Sequence, residues 1–437
     1  MSESNTNQQN GIPHVSRDLN VELLRIIACL MVIMIHVRPF SFSGSTLRDA
    51  VVFINVMNGP AVAAFFLISG FFISPKQTLS HIILRFIKGV ILPTAVFVFC
   101  LGLIRPWIDT PDMGFLQSIL NSQPLTMLSD MLQGFLAFDT VRFGIYADHL
   151  WYIFSYASIM FWMPVILALV KHDETTVLKL MLLIGVFHYT LMNLSALVIL
   201  PIGIYIPEAI GKPALYTIAG YLFYSWIKKV RSTYQTAGSE KSHIENVKDK
   251  SHTLSTPDTS MAIRDTLMPI FRTNYAVLLF FLLFVIFSVL LFFLQKHIYM
   301  QGLLMGRSVD EMNTDYYFTS WSGFLCALQT TALAGAVLLL PLRLLKPVGS
   351  ADYPAAARLI STLGGYTFYI YLIHYIFTNH FRAIGFEDTV KGLFGESSFG
   401  LIMYTLSYSV FVFLLCATII FIYRKLWKTI LCQLQKI

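Results

Sequence analysis

Charge is what this chain has least of. Only 13% of its 437 residues are Asp, Glu, Lys or Arg, against about 25% in a soluble domain. A soluble globular protein is therefore excluded. Cysteine is also sparse. Cys29, Cys100, Cys326 and Cys416 lie inside apolar runs and Cys432 lies near the C-terminus. They show no metal-ligand spacing and imply no disulfide framework, so they read as small apolar fillers. The first twenty residues are polar and lack a basic segment followed by a short apolar core and a small-residue cleavage site. The N-terminus is therefore expected to be a retained cytoplasmic tail. No internal repeat is visible, and no soluble domain is expected after the last apolar run.

What is present is apolar sequence, at 56% hydrophobic residues. A membrane span needs about 20 mostly apolar residues. Ten stretches qualify: 20–38, 51–74, 82–104, 150–170, 177–199, 207–227, 274–295, 317–342, 357–380 and 400–423. The expected fold is an all-α polytopic membrane protein, a bundle of about ten transmembrane helices. Its parts are a tail over 1–19, a membrane domain over 20–427 and a second tail over 428–437. The formal charge of +7 sits mostly in short segments flanking the apolar runs. It marks topology and not nucleic-acid binding. With the N-terminus in the cytoplasm, 21 Lys and Arg fall in cytoplasmic segments and nine outside, with Arg25 inside the first span. Both termini are thus expected in the cytoplasm. The outer loop 105–149 is expected to carry a short amphipathic surface helix. The inner loop 228–272, polar from Ser239 to Ser260, reads as a disordered connector.

Ionisable residues within a membrane span are costly and usually functional. Arg25 and His36 share the first span, eleven residues apart. At about 100° per residue that is roughly three turns, so both lie on one helix face, about 16 Å apart. His36 is either hydrogen-bonded to a neighbouring helix or a titratable group that takes a proton from a hydroxyl. Arg25 either pairs with Glu22 on the same face or offers its guanidinium to phosphate. Arg85 and Lys88, three apart beyond the second span, form a second phosphate-attracting pair or simply mark topology. His149 and Trp151 at the start of the fourth span, and His374 in the ninth, should lie towards the outer face with His36. Three histidines raise the question of a metal, but no paired spacing or carboxylate cluster supports one, and none is expected. His188 and Asn193 are weaker candidates. The Ser69-Gly70 step either ends a helix or lets two helices approach closely.

Several of these motifs together resemble the integral-membrane acyltransferase-3 family. They are Glu22-x-x-Arg25, Arg25-x10-His36, Phe66-Leu-Ile-Ser-Gly-Phe71, His149-Leu-Trp-Tyr152 and Ile370-Tyr-Leu-Ile-His374. The resemblance covers roughly residues 17–427. It implies transfer of an acyl group, usually acetyl, from cytoplasmic acyl-CoA to a sugar hydroxyl outside a bacterial cytoplasmic membrane. His36 would be the essential histidine and Arg25 its partner towards the coenzyme. The family often has Arg-x-x-Arg after the second span; here Lys88 keeps the charge but loses the bidentate fork. Arg25, Arg85 and Lys88 are then expected to hold acyl-CoA, a donor substrate and not a bound cofactor. His149, Trp151 and His374 are expected to meet a surface glycan or lipid-linked saccharide. Glu22 stands where Asp is common, and the esterase-like domain of many members is not expected. The competing class is a polytopic transporter or glycan exporter, which also buries ionisable residues.

Overall fold

The structure, a computed structural model, describes residues 18–37, 45–109, 115–137, 148–198, 211–248, 259–304, 324–340, 355–395 and 397–434. Among these the chain is helical throughout, with no strand. Helices are what a chain this apolar must form, because lipid offers no partner for a backbone N–H or C=O. Six are long and apolar enough to cross a membrane: Leu19–Val37, Arg48–Phe71, Leu79–Pro106, Trp151–Lys171, Tyr275–His297 and Ser398–Gln433. Two shorter apolar helices, Thr175–Phe187 and Leu325–Leu338, match the fifth and eighth expected spans in part. Length and composition thus give six spans among the described residues, where the sequence reading gives about ten.

The difference has local causes. The ninth expected span is broken at Gly364-Gly365 into two helices, Ala355–Gly364 and Thr367–Ala383. The sixth begins at Lys212, and residues 199–210 lie outside the described set. The second is interrupted at Gly59-Pro60, where proline opens a new helical segment, but its two segments still count together as one of the six, Arg48–Phe71. In chain order the helices used below are α1 (Leu19–Val37), α2 (Ser45–Asn58), α3 (Pro60–Phe71), α4 (Leu79–Phe86) and α5 (Leu92–Asp109). A π-helical turn, Ile87–Ile91, joins α4 to α5. Then come α6 (Phe115–Leu120), α7 (Pro124–Ala137), α8 (Trp151–Lys171), α9 (Thr175–Val198), α10 (Lys212–Lys248) and α11 (Thr259–Leu304). The last are α12 (Phe324–Leu338), α13 (Ala355–Gly364), α14 (Thr367–Ala383), α15 (Phe386–Phe394) and α16 (Ser398–Leu434).

Helix extends into both of the long expected loops. α10 carries the helix on to Lys248, α11 begins at Thr259, and only 249–258 lie outside the described residues. Ala, Glu and Lys within 237–248 are good helix formers and prolong the helix that the apolar run begins. The outer loop holds two short helices, α6 and α7, where one is expected. α6 exposes Leu116 at 78% and Leu120 at 84%, the kind of apolar face that suits a membrane surface.

α1 is the central post, packed against α2, α3, α12, α13, α14 and α16. At its first turn, Asp18 takes hydrogen bonds from Arg231 Nη1 at 2.6 Å and from the Tyr224 hydroxyl at 2.9 Å. Asn20 donates to the carbonyls of Val337 and Leu340, both at 2.8 Å. These bonds tie α1 to α10 and to the end of α12. The tightest crossing is α3 on α10. A Cβ at Gly70 would run into the Thr217 and Tyr221 backbone, and one at Gly220 into the Leu67 backbone. The Ser69-Gly70 step therefore serves close approach. Gly220→Ala and Gly70→Ala should each cost about 1–3 kcal/mol by overpacking. Thermal unfolding in detergent should show it, while Gly392→Ala, whose Cβ meets nothing within 4 Å, should not lower the midpoint.

Candidate active site

α1 presents both of its candidate groups to the bundle interior. Arg25 Nη1 bonds Glu22 Oε1 at 3.0 Å, as the spacing leads one to expect, and its Cζ lies 5.0 Å from the Phe72 ring centroid. Glu22 is buried against α13. A Cβ on Gly364 would strike its carboxylate, so only glycine fits at the helix break. The second carboxylate oxygen, Oε2, has no hydrogen-bond partner among the described residues.

Beside this pair lies a cavity of about 600 Å³, within the usual range of roughly 300–1,000 Å³ for small-molecule sites. Its lining includes a charged group, Asp18 bonded to Tyr224 and Glu22 bonded to Arg25, which forms its charged end. It also includes an aromatic group, Phe65, Tyr152 and Tyr371 in ring contact, with Phe368 also in the lining. Tyr152 is held by stacking on Phe66, ring centroids 4.8 Å apart, and Tyr371 stands 5.6 Å from Tyr152.

Past Tyr371 the three candidate histidines come together. His36 lies 5.3 Å from His374 and 6.4 Å from His149, ring centroid to ring centroid, and His149 lies 5.3 Å from His374. The Tyr375 ring completes the group, 4.8 Å from both His36 and His149. Tyr371, His374 and Tyr375 share one face of α14 by their spacing of three and four. His149 arrives on the 3₁₀ turn Asp148–Leu150 that leads into α8.

Backbone carbonyls fix two of these rings. His149 Nε2 lies 3.2 Å from the Leu372 oxygen, and His374 Nδ1 lies 2.7 Å from the Tyr371 oxygen. A carbonyl oxygen only accepts, so each of these nitrogens carries the hydrogen. In the neutral ring the other nitrogen then holds a lone pair. These nitrogens, His149 Nδ1 and His374 Nε2, are buried and have no partner among the described residues. For His149, just outside the Trp151–Lys171 span, burial first and His374 second push the imidazole well below its ordinary pKa, so it is neutral. The Tyr371 hydroxyl donates to the His149 carbonyl and pins the turn to α14.

The end of α1 is held as well. Arg382 Nη2 donates to the His36 carbonyl at 3.1 Å, and its Nε bonds Glu387 at 2.9 Å. The Tyr404 hydroxyl donates to the same carboxylate at 3.1 Å. A cation suits a helix C-terminus. Arg382→Ala should loosen His36 and lower turnover about 10-fold while leaving donor KM nearly unchanged. Steady-state kinetics of the purified variant would show this split.

Not every expected site residue falls here. His149 and His374 are 2% and 0% exposed, so they pack around His36 inside the bundle and do not stand at an open outer mouth. Tyr152, and not Trp151, lines the cavity; Trp151 is half-buried at the start of α8. Arg85 and Lys88 are exposed, and neither lines the cavity, although Gly89 and Val90 beside them do. Arg85 bonds His81 Nε2 at 2.7 Å. The side chains of His188 and Asn193 lie outside the described residues. Among the described residues no group of three His, Cys, Asp or Glu is placed to hold a metal ion. The sequence reading missed Tyr152, Tyr371 and Tyr375, which pass for interfacial aromatics; the i, i+3, i+4 spacing of Tyr371, His374 and Tyr375 is the signal that marks them.

Long apolar helices around a cluster of ionisable side chains and an internal cavity define a multi-pass membrane protein. A profile of the acyltransferase-3 family, described as an acyltransferase domain, matches residues 18–422, and the chain belongs to that family. It is a membrane acyltransferase. Comparison with curated proteins gives no match, and neither does comparison with solved structures.

Proposed function

We propose that this enzyme moves an acyl group, acetyl by preference, from cytoplasmic acyl-CoA to a hydroxyl of an extra-cytoplasmic glycan or lipid-linked saccharide. It does so in a bacterial cytoplasmic membrane with both termini inside. The observation that carries this reading is the cavity between Arg25 and Tyr371, with three histidines gathered behind Tyr371. Acyl-CoA has a phosphorylated head and a long flexible arm ending in the thioester. The charged end of the cavity suits the head and the aromatic end suits the arm.

In the proposed step His36 takes the proton of the acceptor hydroxyl. The oxygen attacks the thioester carbonyl carbon, the C–S bond breaks, and the imidazolium returns the proton to the departing thiolate. The products are the glycan ester and free CoA. The bare nitrogens of His149 and His374 accept hydrogen bonds from the incoming hydroxyl or from His36 and fix its orientation. Base assistance of this kind supplies about 10²–10⁴-fold.

The test is turnover by purified protein in nanodiscs supplied with acetyl-CoA and a membrane glycolipid extract. Release of CoA thiol that depends on the extract, with acetyl ester found in the glycan, is expected. Movement of saccharide without thiol release would identify a transporter instead.

A further inference from the structure

The cavity wall carries two carboxylates, and both are already neutralised. Asp18 is bonded to Arg231 at 2.6 Å and Glu22 to Arg25 at 3.0 Å. Two other cations stand over tyrosines of the same wall. Lys228 Nζ, on α10, lies 4.4 Å from the ring centroid of Tyr224. Arg424 Cζ, on α16, lies 5.2 Å from that of Tyr369 and 4.6 Å from that of Tyr366. Tyr224 and Tyr369 both line the cavity. Neither Lys228 nor Arg424 is within ion-pair distance of a carboxylate among the described residues, although Asp18 attracts Lys228 from further off, and both are exposed. The aromatic face holds each cation by its quadrupole and leaves its N–H donors available.

We propose that Lys228 and Arg424 flank the cavity mouth as the phosphate-binding residues that make the enzyme prefer a nucleotide-bearing thioester over a bare one. This rests on acyl-CoA being the donor. Paired Asp18 and Glu22 cancel Arg231 and Arg25, so these two cations supply the net positive charge next to the opening. They approach it from helices far apart in sequence. Phosphates of the head bridge them and reach inward to Arg25, while the uncharged arm lies along Tyr369 and Phe368 towards Tyr371.

The probes are acetyl-CoA and S-acetyl-pantetheine, which has the arm and thioester without the nucleotide. With the full chain in nanodiscs, Lys228→Ala and Arg424→Ala should each raise KM for acetyl-CoA roughly 5-fold, the scale of one exposed charge pair. The double variant should raise it roughly 25-fold. kcat, and KM for S-acetyl-pantetheine, should move less than about 2-fold. Lys228→Arg with Arg424→Lys should restore acetyl-CoA use. Raising salt should weaken acetyl-CoA use in the parent and much less in the double alanine variant. An equal KM rise for both thioesters would mean that the residues shape the cavity without reading phosphate, and would overturn the proposal. No change for either thioester would overturn it too. If the parent protein used neither thioester, the acyl-CoA reading itself would fall. If it used both equally well, only the phosphate preference would.

Discussion

His36→Ala should lower acyl transfer by about 10²–10⁴-fold, the usual worth of a positioned base, with expression and membrane insertion unchanged. The ring is half-buried at the last turn of α1, and its neighbours are the rings of His149, His374 and Tyr375. The ion pairs Arg25–Glu22, Arg231–Asp18, Lys296–Asp49 and Arg382–Glu387 all remain when the ring is lost, so the bundle should survive. In the proposed mechanism the three imidazoles act as one unit, so the effects should not add. His374→Ala in a His36→Ala background should cost little more. Turnover of each variant under saturating acetyl-CoA measures this. Turnover like the parent in His36→Ala would remove the ring from the mechanism.

Arg25→Ala should be the second-largest loss, and it should fall mainly on the donor. A charge-assisted hydrogen bond is worth about 1.5–3 kcal/mol, so KM for acetyl-CoA should rise roughly 10- to 150-fold. The substitution also strips Glu22, whose side chain is 5% exposed, of its counter-ion. A buried carboxylate left without its partner destabilises the fold. Arg25→Ala combined with Glu22→Gln separates the two effects: stability should return while the KM defect stays. The Arg85→Ala/Lys88→Ala pair, exposed beside the lining residues Gly89 and Val90, should raise KM only a few-fold, roughly 2- to 5-fold. Direct measurement of acetyl-CoA affinity on each variant checks the order. An unchanged affinity in Arg25→Ala would place the donor elsewhere.

The placement of the candidate side chains was more legible in the sequence than the architecture. Arg25 and His36 were readable because helical periodicity fixes a face from spacing alone. The Glu22–Arg25 pair was readable for the same reason. Convergence of His36, His149 and His374 followed from their shared depth, but depth says nothing of burial. That His149 and His374 sit behind Tyr371 inside the bundle, and not at an outer opening, depends on how α14 and the turn before α8 pack on α1. The breaks at Gly59-Pro60 and Gly364-Gly365 were visible as residues but not as breaks, because mean apolarity carries across them. Gly364 is explained only once Glu22 is seen against it. The basic pair Arg85 and Lys88 looked equivalent to Arg25 because charge and depth were the only criteria. Lys228 and Arg424 were counted as topology markers, since nothing in the sequence brings α10 and α16 to Tyr224 and Tyr369.

The central claim is that an acyl group enters from the Arg25 end and leaves at the histidine cluster. Sealed membrane vesicles of known orientation test it most directly. Inverted vesicles carry the cytoplasmic face outside, so acetyl-CoA labelled in its acetyl group, added externally, reaches the Arg25 end. The account predicts labelled ester on glycan inside these vesicles, none in sealed right-side-out vesicles, and none in either when His36 is replaced by alanine. Labelling confined to right-side-out vesicles, or labelling that persists without His36, would contradict it.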